Sequence, residues 1–274
     1  MNECMHDCYL CRFETALQRY CPSCCLPYID TRLDCWLPRP SDSAVFTDQF
    51  LGNNWGPVRT GVAANWRPEP RDCDIRRNGV LTRFTDTGGC WRGLLYTNTK
   101  VRRVTGSTSY DRLCQPYTRS GFEVDHGGPH VWIGGHMASL SCAPNDPIFW
   151  MHHCFIDMIA EVLKDNLSPA QWYYPRGWVP WRHGANDRMR PFNYNNADGL
   201  DDEAIAKEYL YERSPAEERC NTESDCGPVG LLWCDGGVCN AKCRNGGRWD
   251  TTGSDAMCYC AAGTPRCNAG VCRC

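Results

Sequence analysis

The chain has 274 residues, of which 42% are hydrophobic and 22% are charged, and its formal net charge is −3. A chain of this length and composition can bury its own core, as one large domain or two modest ones. The near-neutral charge, with no basic run interleaved with aromatic residues, argues against a nucleic-acid partner. No stretch approaches the roughly 18 to 20 apolar residues that a membrane span needs.

Cysteine is the outlier of the composition, with 22 residues. Twelve of them precede residue 200 and ten follow from Cys220 onward, so each part has an even number and could close its own disulfides. Such a density is typical of an oxidising compartment and predicts a secreted, extracellular protein. The first ten residues lack the basic start and the apolar core of a signal peptide. We therefore expect a processed product or a chain that begins inside a longer protein.

Residues 1–36 are predicted to form a helix with a Cys-rich exit. The stretch CPSCCLPY contains two prolines and ends the helix. Upstream of this stretch, apolar residues recur at helical spacing: Leu10, Phe13, Ala16 and Leu17. His6 falls in the first turns of the predicted helix.

Two cysteine pairs in this first segment admit two interpretations. Cys8 with Cys11, and Cys21 with Cys24, have the two-residue spacing of zinc ligands. Other cysteines crowd around them, and the rest of the chain has the composition of a secreted protein. Disulfides are therefore preferred to zinc.

Residues 37–120 are predicted to be mostly irregular, because proline, glycine and asparagine recur throughout them. Long irregular segments are unusual unless they are functional or cross-linked. Cys73, Cys90 and Cys114 are available as staples. A short helix is predicted at residues 110–113, leading toward the first histidine pair.

Five of the seven histidines of the chain lie between residues 126 and 157. His126 and His130 are four residues apart, a spacing that places two imidazoles on one face of a helix, about one turn apart. A helix is therefore expected to present both of them to the same neighbour.

A second helix is predicted to follow, with Asp146 as its N-cap and Pro147 in its first helical position. His153 lies on its apolar stripe, whereas His152 points away from it. The apolar stripe is formed by three further residues: Phe149, Ile156 and Ala160. Two antiparallel helices could bring three neutral imidazoles to one metal ion, and such a ligand set suits copper or zinc.

The order of these residues resembles the second copper-binding half of the type-3 copper proteins, which are the tyrosinases, catechol oxidases and mollusc hemocyanins. The histidine pair, the turn VWIGGHM and the segment PNDPIFWMHHCFID follow one another as in that family. The resemblance implies a mainly α fold, with a type-3 copper helix-bundle core and long, disulfide-stapled loops. It also implies that His126, His130 and His153 bind copper. Asp157, one turn after His153, is either a hydrogen-bond acceptor that orients an imidazole or a surface salt-bridge partner.

Type-3 copper proteins hold two copper ions, with three histidines for each. The segment HDCYLCRFETALQ resembles a helix of the first site, which would make His6 a first-copper ligand; the alternative is an N-terminal histidine without partners. Only His6 precedes residue 126, so the first copper site is expected to be truncated or degenerate. We expect one copper ion, or two if further sequence or another chain supplies ligands. Oxidation by the family mechanism is expected to be weak or absent in the chain as written.

Three residues between the two ligands of the first histidine pair depart from a good helix. Gly127 stands where family members that hydroxylate phenols often carry asparagine, so the resemblance implies oxidation of catechols rather than hydroxylation of tyrosine. Glycine costs about 1 kcal/mol in a helix interior and proline about 3 kcal/mol, which weakens the turn Gly127-Gly128-Pro129. Pro129 is therefore expected near a helix start at Asp125 or Gly127.

Residues 165–218 resemble the tail of invertebrate tyrosinase-like domains. His183 is expected to be exposed there, and Asn166-Leu-Ser168 is a possible acceptor of N-linked glycosylation. We place a tyrosinase-like copper domain, N-terminally incomplete, at residues 1–218. Residues 219–274 are predicted to be a small Cys-rich disulfide module that depends on about five bridges.

Two functions remain open. The first is a secreted copper oxidoreductase that converts phenols, catechols or protein tyrosines to o-quinones with dioxygen. The second is a non-enzymatic extracellular-matrix or structural protein that keeps the fold and at most one copper ion. In the second case the Cys-rich module would bind a matrix or protein partner.

Overall fold

The computed structural model describes residues 4–35, 37–69, 73, 79–90, 92–108, 121–174, 184–205, 209–227, 231–242, 266–268 and 271–273, and only the backbone of 4–8, 204, 205, 266–268 and 271–273. This part of the chain contains six α-helices: α1 (Cys4–Gln18), α2 (Thr31–Cys35), α3 (Asn98–Thr105), α4 (Phe122–Ile133), α5 (Pro147–Asn166) and α6 (Asp202–Ile205). It also contains eight short strands: β1 (Trp55–Pro57), β2 (Thr82–Phe84), β3 (Arg188–Met189), β4 (Tyr194–Asn195), β5 (Leu232–Asp235), β6 (Val238–Ala241), β7 (Arg266–Asn268) and β8 (Val271–Arg273). The strands pair in sequence order as four antiparallel two-stranded sheets. The mainly α fold is confirmed.

The described chain divides into two compact units. The first consists of three segments: Met1–Ile29, Asn98–Gly127 and Trp150–Tyr211. The second consists of the remainder: Asp30–Thr97, Gly128–Phe149 and Glu212–Cys274. Among the helices of the described residues, none is long and apolar enough to cross a membrane.

In the first unit, α1 packs against α5 through aromatic rings. The ring of Phe13 stacks on that of Trp150 with centroids 3.6 Å apart, and Tyr9 stacks on the same indole at 5.1 Å. The predicted helix is confirmed, but its predicted apolar face only in part: Leu10 is buried and Phe13 half-buried, whereas Ala16 is exposed. Leu17, near the end of the helix, is also exposed, at 37%.

In the second unit, a buried ion pair fixes the start of α5. The guanidinium of Arg83 donates to both carboxylate oxygens of Asp146 at 2.7 and 2.8 Å, and neither side chain is exposed. Asp146 also accepts the backbone N–H of Ile148 at 3.0 Å, and the helix begins at Pro147. The predicted N-cap and first helical residue are confirmed. Because a buried charge is costly unless paired, this contact holds the helix start to β2.

Buried charges also hold α2. Arg32 donates to Asp30 at 2.7 Å and to Glu217 at 3.0 Å. Asp34 accepts the hydroxyl of Ser43 at 2.6 Å. Burial raises the pKa of Asp34 to about 7, the charge of Asp30 adds to this effect, and the hydrogen bond from Ser43 opposes it. The Asp34 carboxyl therefore titrates near neutral pH in the folded chain.

Five disulfides join described cysteines: Cys21–Cys24, Cys35–Cys90, Cys73–Cys142, Cys220–Cys234 and Cys226–Cys239. Cys73 and Cys90 staple the long loops as predicted, and Cys21 and Cys24 form a disulfide rather than a zinc pair. Cys114 and the helix predicted at residues 110–113 lie outside the described residues. The helix α3 was not predicted, because it has only eight residues and its only apolar side chains are those of Val101 and Val104.

In the Cys-rich segment, β5 and β6 form a hairpin with the turn Gly236-Gly237. Both glycines have positive φ, 56° and 80°, which the tight two-residue turn requires and which side chains rarely adopt. Two disulfides connect these strands to the preceding loop. Apolar side chains of the hairpin also pack against α2 and the residue Leu37 that follows it; the side chains are those of Leu33, Leu37, Leu232 and Ala241. The backbone N–H of Ala44 donates to the carbonyl of Lys242 at 3.2 Å. The predicted domain boundary at residue 219 stays a prediction.

Candidate metal centre

The helix α4 carries the first two candidate ligands and passes through Pro129. It begins at Phe122, so the expectation of a start at Asp125 or Gly127 is wrong. Proline lacks the N–H that would bond to the carbonyl of Asp125, and it costs about 3 kcal/mol in a helix interior. Burial of apolar side chains near both ends of the helix outweighs this local cost: Phe122, Trp132 and Ile133.

The two glycines before Pro129 have different surroundings. A Cβ at Gly128 would lie 2.2 Å from the carbonyl oxygen of Leu94. The close approach of the backbone at Leu94 to α4 therefore requires glycine at position 128. A Cβ at Gly127 would meet nothing within 4 Å. Packing therefore explains Gly128, whereas the space beside Gly127 is open to a larger side chain.

Backbone carbonyls orient both imidazoles of α4. The Nδ1 atom of His126 lies 2.5 Å from the carbonyl oxygen of Glu123, and that of His130 lies 2.8 Å from the carbonyl oxygen of Met137. Because a carbonyl oxygen only accepts, each Nδ1 must carry the proton and donate it. Each Nε2 then holds the lone pair that can bind a metal ion.

The third imidazole comes from α5. His126, His130 and His153 each offer one ligand atom, and these atoms all lie within 4.8 Å of one another. His153 is 2% exposed and His130 is 8% exposed. Burial lowers the pKa of His130, and the hydrogen bond to Met137 only partly opposes this effect. A neutral imidazole is the form that ligates metals, so the three side chains fit a copper or zinc ion.

The neighbour of His153 has a different role. The Nε2 of His152 lies 2.9 Å from the carbonyl oxygen of His126, so its N–H donates to the backbone of the ligand-bearing helix. His152 is fully buried, which its position off the apolar stripe did not predict. The helix spacing alone could not reveal this bond, because its acceptor is a backbone atom 26 residues away.

Among the other described histidines and cysteines, His136, Cys154 and a cysteine cluster after residue 219 have other roles. His136 is fully buried, and its Nδ1 accepts the backbone N–H of Thr82 at 3.0 Å. Burial, aided by the charge of Asp157, raises the pKa of the Cys154 thiol to about 12, so this neighbour of His153 stays protonated. A second cluster of potential metal ligands is taken up by disulfides: Cys220, Cys226 and Cys239.

Asp157 is buried one turn after His153, and its predicted role in orienting an imidazole stays a prediction. It is 2% exposed, which is incompatible with a surface salt bridge. Its Oδ2 accepts the hydroxyls of Tyr209 at 2.7 Å and Tyr211 at 2.6 Å. The carboxylate of Asp157, one turn past His153, therefore contacts the last residues of the first unit. Its partners lie more than 50 residues away in sequence, and no local pattern pointed to them.

Two histidines discussed from sequence remain untested. His6 belongs to α1, but its side chain lies outside the described residues, and His183 lies outside them entirely. The assignment of His6 to a first copper site stays a prediction. The assignment of His126, His130 and His153 as copper ligands also stays a prediction, which their geometry supports.

Comparisons with known proteins give the family. The family model described as the common central domain of tyrosinase matches residues 5–165. A tyrosinase-like protein of Caenorhabditis elegans is 32% identical over 248 residues, which cover 84% of this chain and 34% of that protein. The tyrosinase of Streptomyces glaucescens is 33% identical over 215 residues, which cover 72% of this chain and 74% of that protein. Tyrosinase-like protein 2 of Margaritifera margaritifera is 30% identical over 242 residues, 78% of this chain and 51% of that protein.

Among solved structures, a variant of the polyphenol oxidase from Thermothelomyces thermophila has a TM-score of 0.50 and 24% sequence identity. The match covers 64% of this chain and 59% of that chain, and it shows a shared fold. The chain spans only about a third to a half of the two invertebrate relatives. The match to the family model covers more than half of this chain, and the chain therefore belongs to the tyrosinase family.

Proposed function

We propose that this chain binds one copper ion through His126, His130 and His153 and oxidises phenols or catechols to o-quinones. The observation that carries the proposal is the pair of Nδ1 hydrogen bonds to backbone carbonyls, which leaves the Nε2 atoms of α4 as ligands. His153 completes a tight group of three nitrogen donors. Imidazole nitrogen suits copper, and the family membership favours copper over zinc.

Each residue of the site has a separate task. Bound copper would supply one-electron redox chemistry with dioxygen. The carbonyls of Glu123 and Met137 fix the tautomers of His126 and His130. His152 holds the backbone of α4 at the position of His126. Gly127 leaves open space next to the first ligand, where no side chain is available to help deprotonate a phenol. Catechols ionise more readily than tyrosine and need less help to lose a proton. Glycine at position 127 therefore favours catechols as substrates.

Turnover by these 274 residues alone is proposed to be weak. A catechol loses two electrons on becoming an o-quinone, whereas one copper ion exchanges one electron at a time. Within the chain, only His6 precedes residue 126 as a candidate ligand of a second ion. Further sequence or another chain would have to supply the missing imidazoles for efficient catalysis.

The proposed location is extracellular, supported by five disulfides among the described cysteines and by the density of cysteine in the chain. The proposed substrates are small phenols and catechols or the tyrosines of a protein. A non-enzymatic role in an extracellular matrix is the second candidate, and the histidine count favours it. In that role the fold and one copper ion persist, and the Cys-rich module contacts a matrix protein.

Metal analysis tests the site. The copper-loaded chain should hold close to one ion per chain. The variant His130→Ala should lose this ion, because only two of the three imidazole ligands remain. The matched control is His136→Asn, at a fully buried histidine outside the candidate site, where the asparagine oxygen can still accept the N–H of Thr82. The control should keep its copper. Two ions per wild-type chain, or full copper retention in His130→Ala, would contradict the proposed site.

Oxygen uptake separates the two functions. With copper bound, slow uptake that needs catechol and disappears in His130→Ala supports the oxidase. No uptake from a folded chain that holds one copper ion supports the matrix role. Rapid uptake with tyrosine would contradict both the weak turnover and the preference for catechols.

A further inference from the structure

The end of α5 carries a sequence motif that the metal centre does not use. Asn166-Leu167-Ser168 matches the acceptor triplet of N-linked glycosylation, in which the middle residue is not proline. It is the only such triplet in the 274 residues. Asn166 is the last residue of the helix, and the side chains of Asn166 and Ser168 are both exposed. A large polar group attached there would extend into solvent.

The amide of Asn166 has room for both a sugar and its existing contact. Its Nδ2 donates to the carbonyl oxygen of Thr105, at the end of α3, at 3.2 Å. A side-chain amide carries two N–H bonds, and this contact uses one of them. Replacement of the second hydrogen by a sugar leaves the hydrogen bond intact, so the folded end of α5 can keep its geometry when it is modified.

The residues that flank the motif are exposed to solvent. Asp165, Pro169 and Ala170 are exposed. The hydroxyl of Ser168 donates to the side-chain oxygen of Gln171 at 2.7 Å, which forms a local turn after the helix. The motif therefore ends a rigid helix at the surface.

The position also keeps a glycan away from the candidate metal centre. Thirteen residues of α5 separate His153 from Asn166. At about 1.5 Å per residue, the two lie roughly 20 Å apart along the helix axis. The attachment point of a glycan on Asn166 would therefore lie about 20 Å from the position of His153 along the helix.

We propose that Asn166 is a modification site that carries an N-linked oligosaccharide. In the transfer, Nδ2 forms a bond to the anomeric carbon of the first N-acetylglucosamine. The bond from that carbon to a lipid-linked pyrophosphate breaks, the pyrophosphate leaves with the electron pair, and the amide loses one proton. The inference rests on the proposed passage of the chain through the secretory pathway, where this donor and its transferase reside.

The test is expression of the full chain behind a heterologous signal peptide in insect cells, with both medium and lysate analysed. Treatment with peptide-N-glycosidase in ¹⁸O-water should lower the mass by one glycan and leave labelled aspartate at position 166. Asn166→Gln and Ser168→Ala should lose the mass shift. Ser168→Thr, which keeps a hydroxyl, should retain it. All four chains should bind the same amount of copper.

Because the added signal peptide brings the chain into the secretory pathway, the test of glycosylation can fail without any failure of the proposed copper function. A translocated wild-type chain with closed disulfides and unmodified Asn166, in medium or lysate, overturns the glycosylation site without bearing on the copper centre. A glycan that persists in Asn166→Gln places the modification elsewhere and overturns it as well. Loss of copper in the otherwise intact Ser168→Ala chain would contradict the independence of the two sites.

Discussion

The two histidine-bearing helices and the hairpin of residues 231–242 are held in place by different means. Around α4 and α5, the contacts are a buried ion pair and hydrogen bonds from imidazoles to backbone carbonyls. In the hairpin, two disulfides and a few apolar residues carry the packing. A metal site needs exact angles, which buried polar contacts supply, whereas a small segment without a core needs covalent bonds. Different perturbations should therefore damage the two regions separately.

The largest effect is expected from Asp146→Ala. The substitution removes the cap of α5 and leaves the fully buried guanidinium of Arg83 without its counter-charge. Loss of one partner of a buried pair costs about 3 to 5 kcal/mol. Urea denaturation should show this decrease in the free energy of unfolding, and copper binding should weaken with it. The matched control is Asp165→Ala, an exposed carboxylate on the same helix, which should change stability by less than about 0.5 kcal/mol. Equal stability of the two variants would mean that the ion pair does not hold the helix.

The second prediction concerns the hairpin. The double substitution Cys226→Ser and Cys239→Ser opens a disulfide with a sequence separation of 13 residues, for which the chain-entropy estimate is about 3 kcal/mol. Limited proteolysis should cleave residues 219–242 faster in this variant. Copper stoichiometry should stay at the wild-type value. Loss of copper would show that the two regions are not independent.

The third prediction uses the buried carboxyl of Asp34, near the apolar contacts of the hairpin. Its pKa is about 7 in the folded chain, whereas the ordinary pKa of an aspartate, taken for the unfolded chain, is 3.8. Between these values the unfolded chain has lost the proton and the folded chain retains it, so the free energy of unfolding falls as pH rises. The expected slope is about 1.4 kcal/mol per pH unit between pH 5 and 6. Asp34→Asn should remove this contribution from the pH dependence of urea denaturation. An unchanged slope would contradict the raised pKa.

The smallest change in stability is expected from Gly127→Asn, because a Cβ there meets no atom within 4 Å. The free energy of unfolding should change by less than about 0.5 kcal/mol. By the family resemblance, the ratio of oxygen uptake with tyrosine to that with catechol should rise. Gly128→Asn is the control, since a Cβ there would lie 2.2 Å from the carbonyl of Leu94 and should destabilise the fold. A tyrosine-to-catechol ratio that does not rise in Gly127→Asn would remove the proposed role of this position.

Sequence patterns predicted the elements whose causes are local. The cap of α5 and the grouping of His126, His130 and His153 follow from residues close together in the chain. The course of α4 through Pro129 could not be predicted, because distant packing offsets the local cost of proline. The partners of Arg83 and Asp157 lie 63 and more than 50 residues away, and nothing near these residues in sequence identifies them. Sequence therefore located the candidate site but not the contacts that hold it.

The contact of Asp157 with Tyr209 and Tyr211 sets a lower limit on the length of a functional fragment. The family model ends its match at residue 165, and a fragment cut there would contain every imidazole of the candidate site. It would also leave a buried carboxylate, one turn past His153, without the two hydroxyls that solvate it. A recombinant fragment intended to hold copper should therefore extend at least through Tyr211, although the last histidine of the site lies 58 residues earlier.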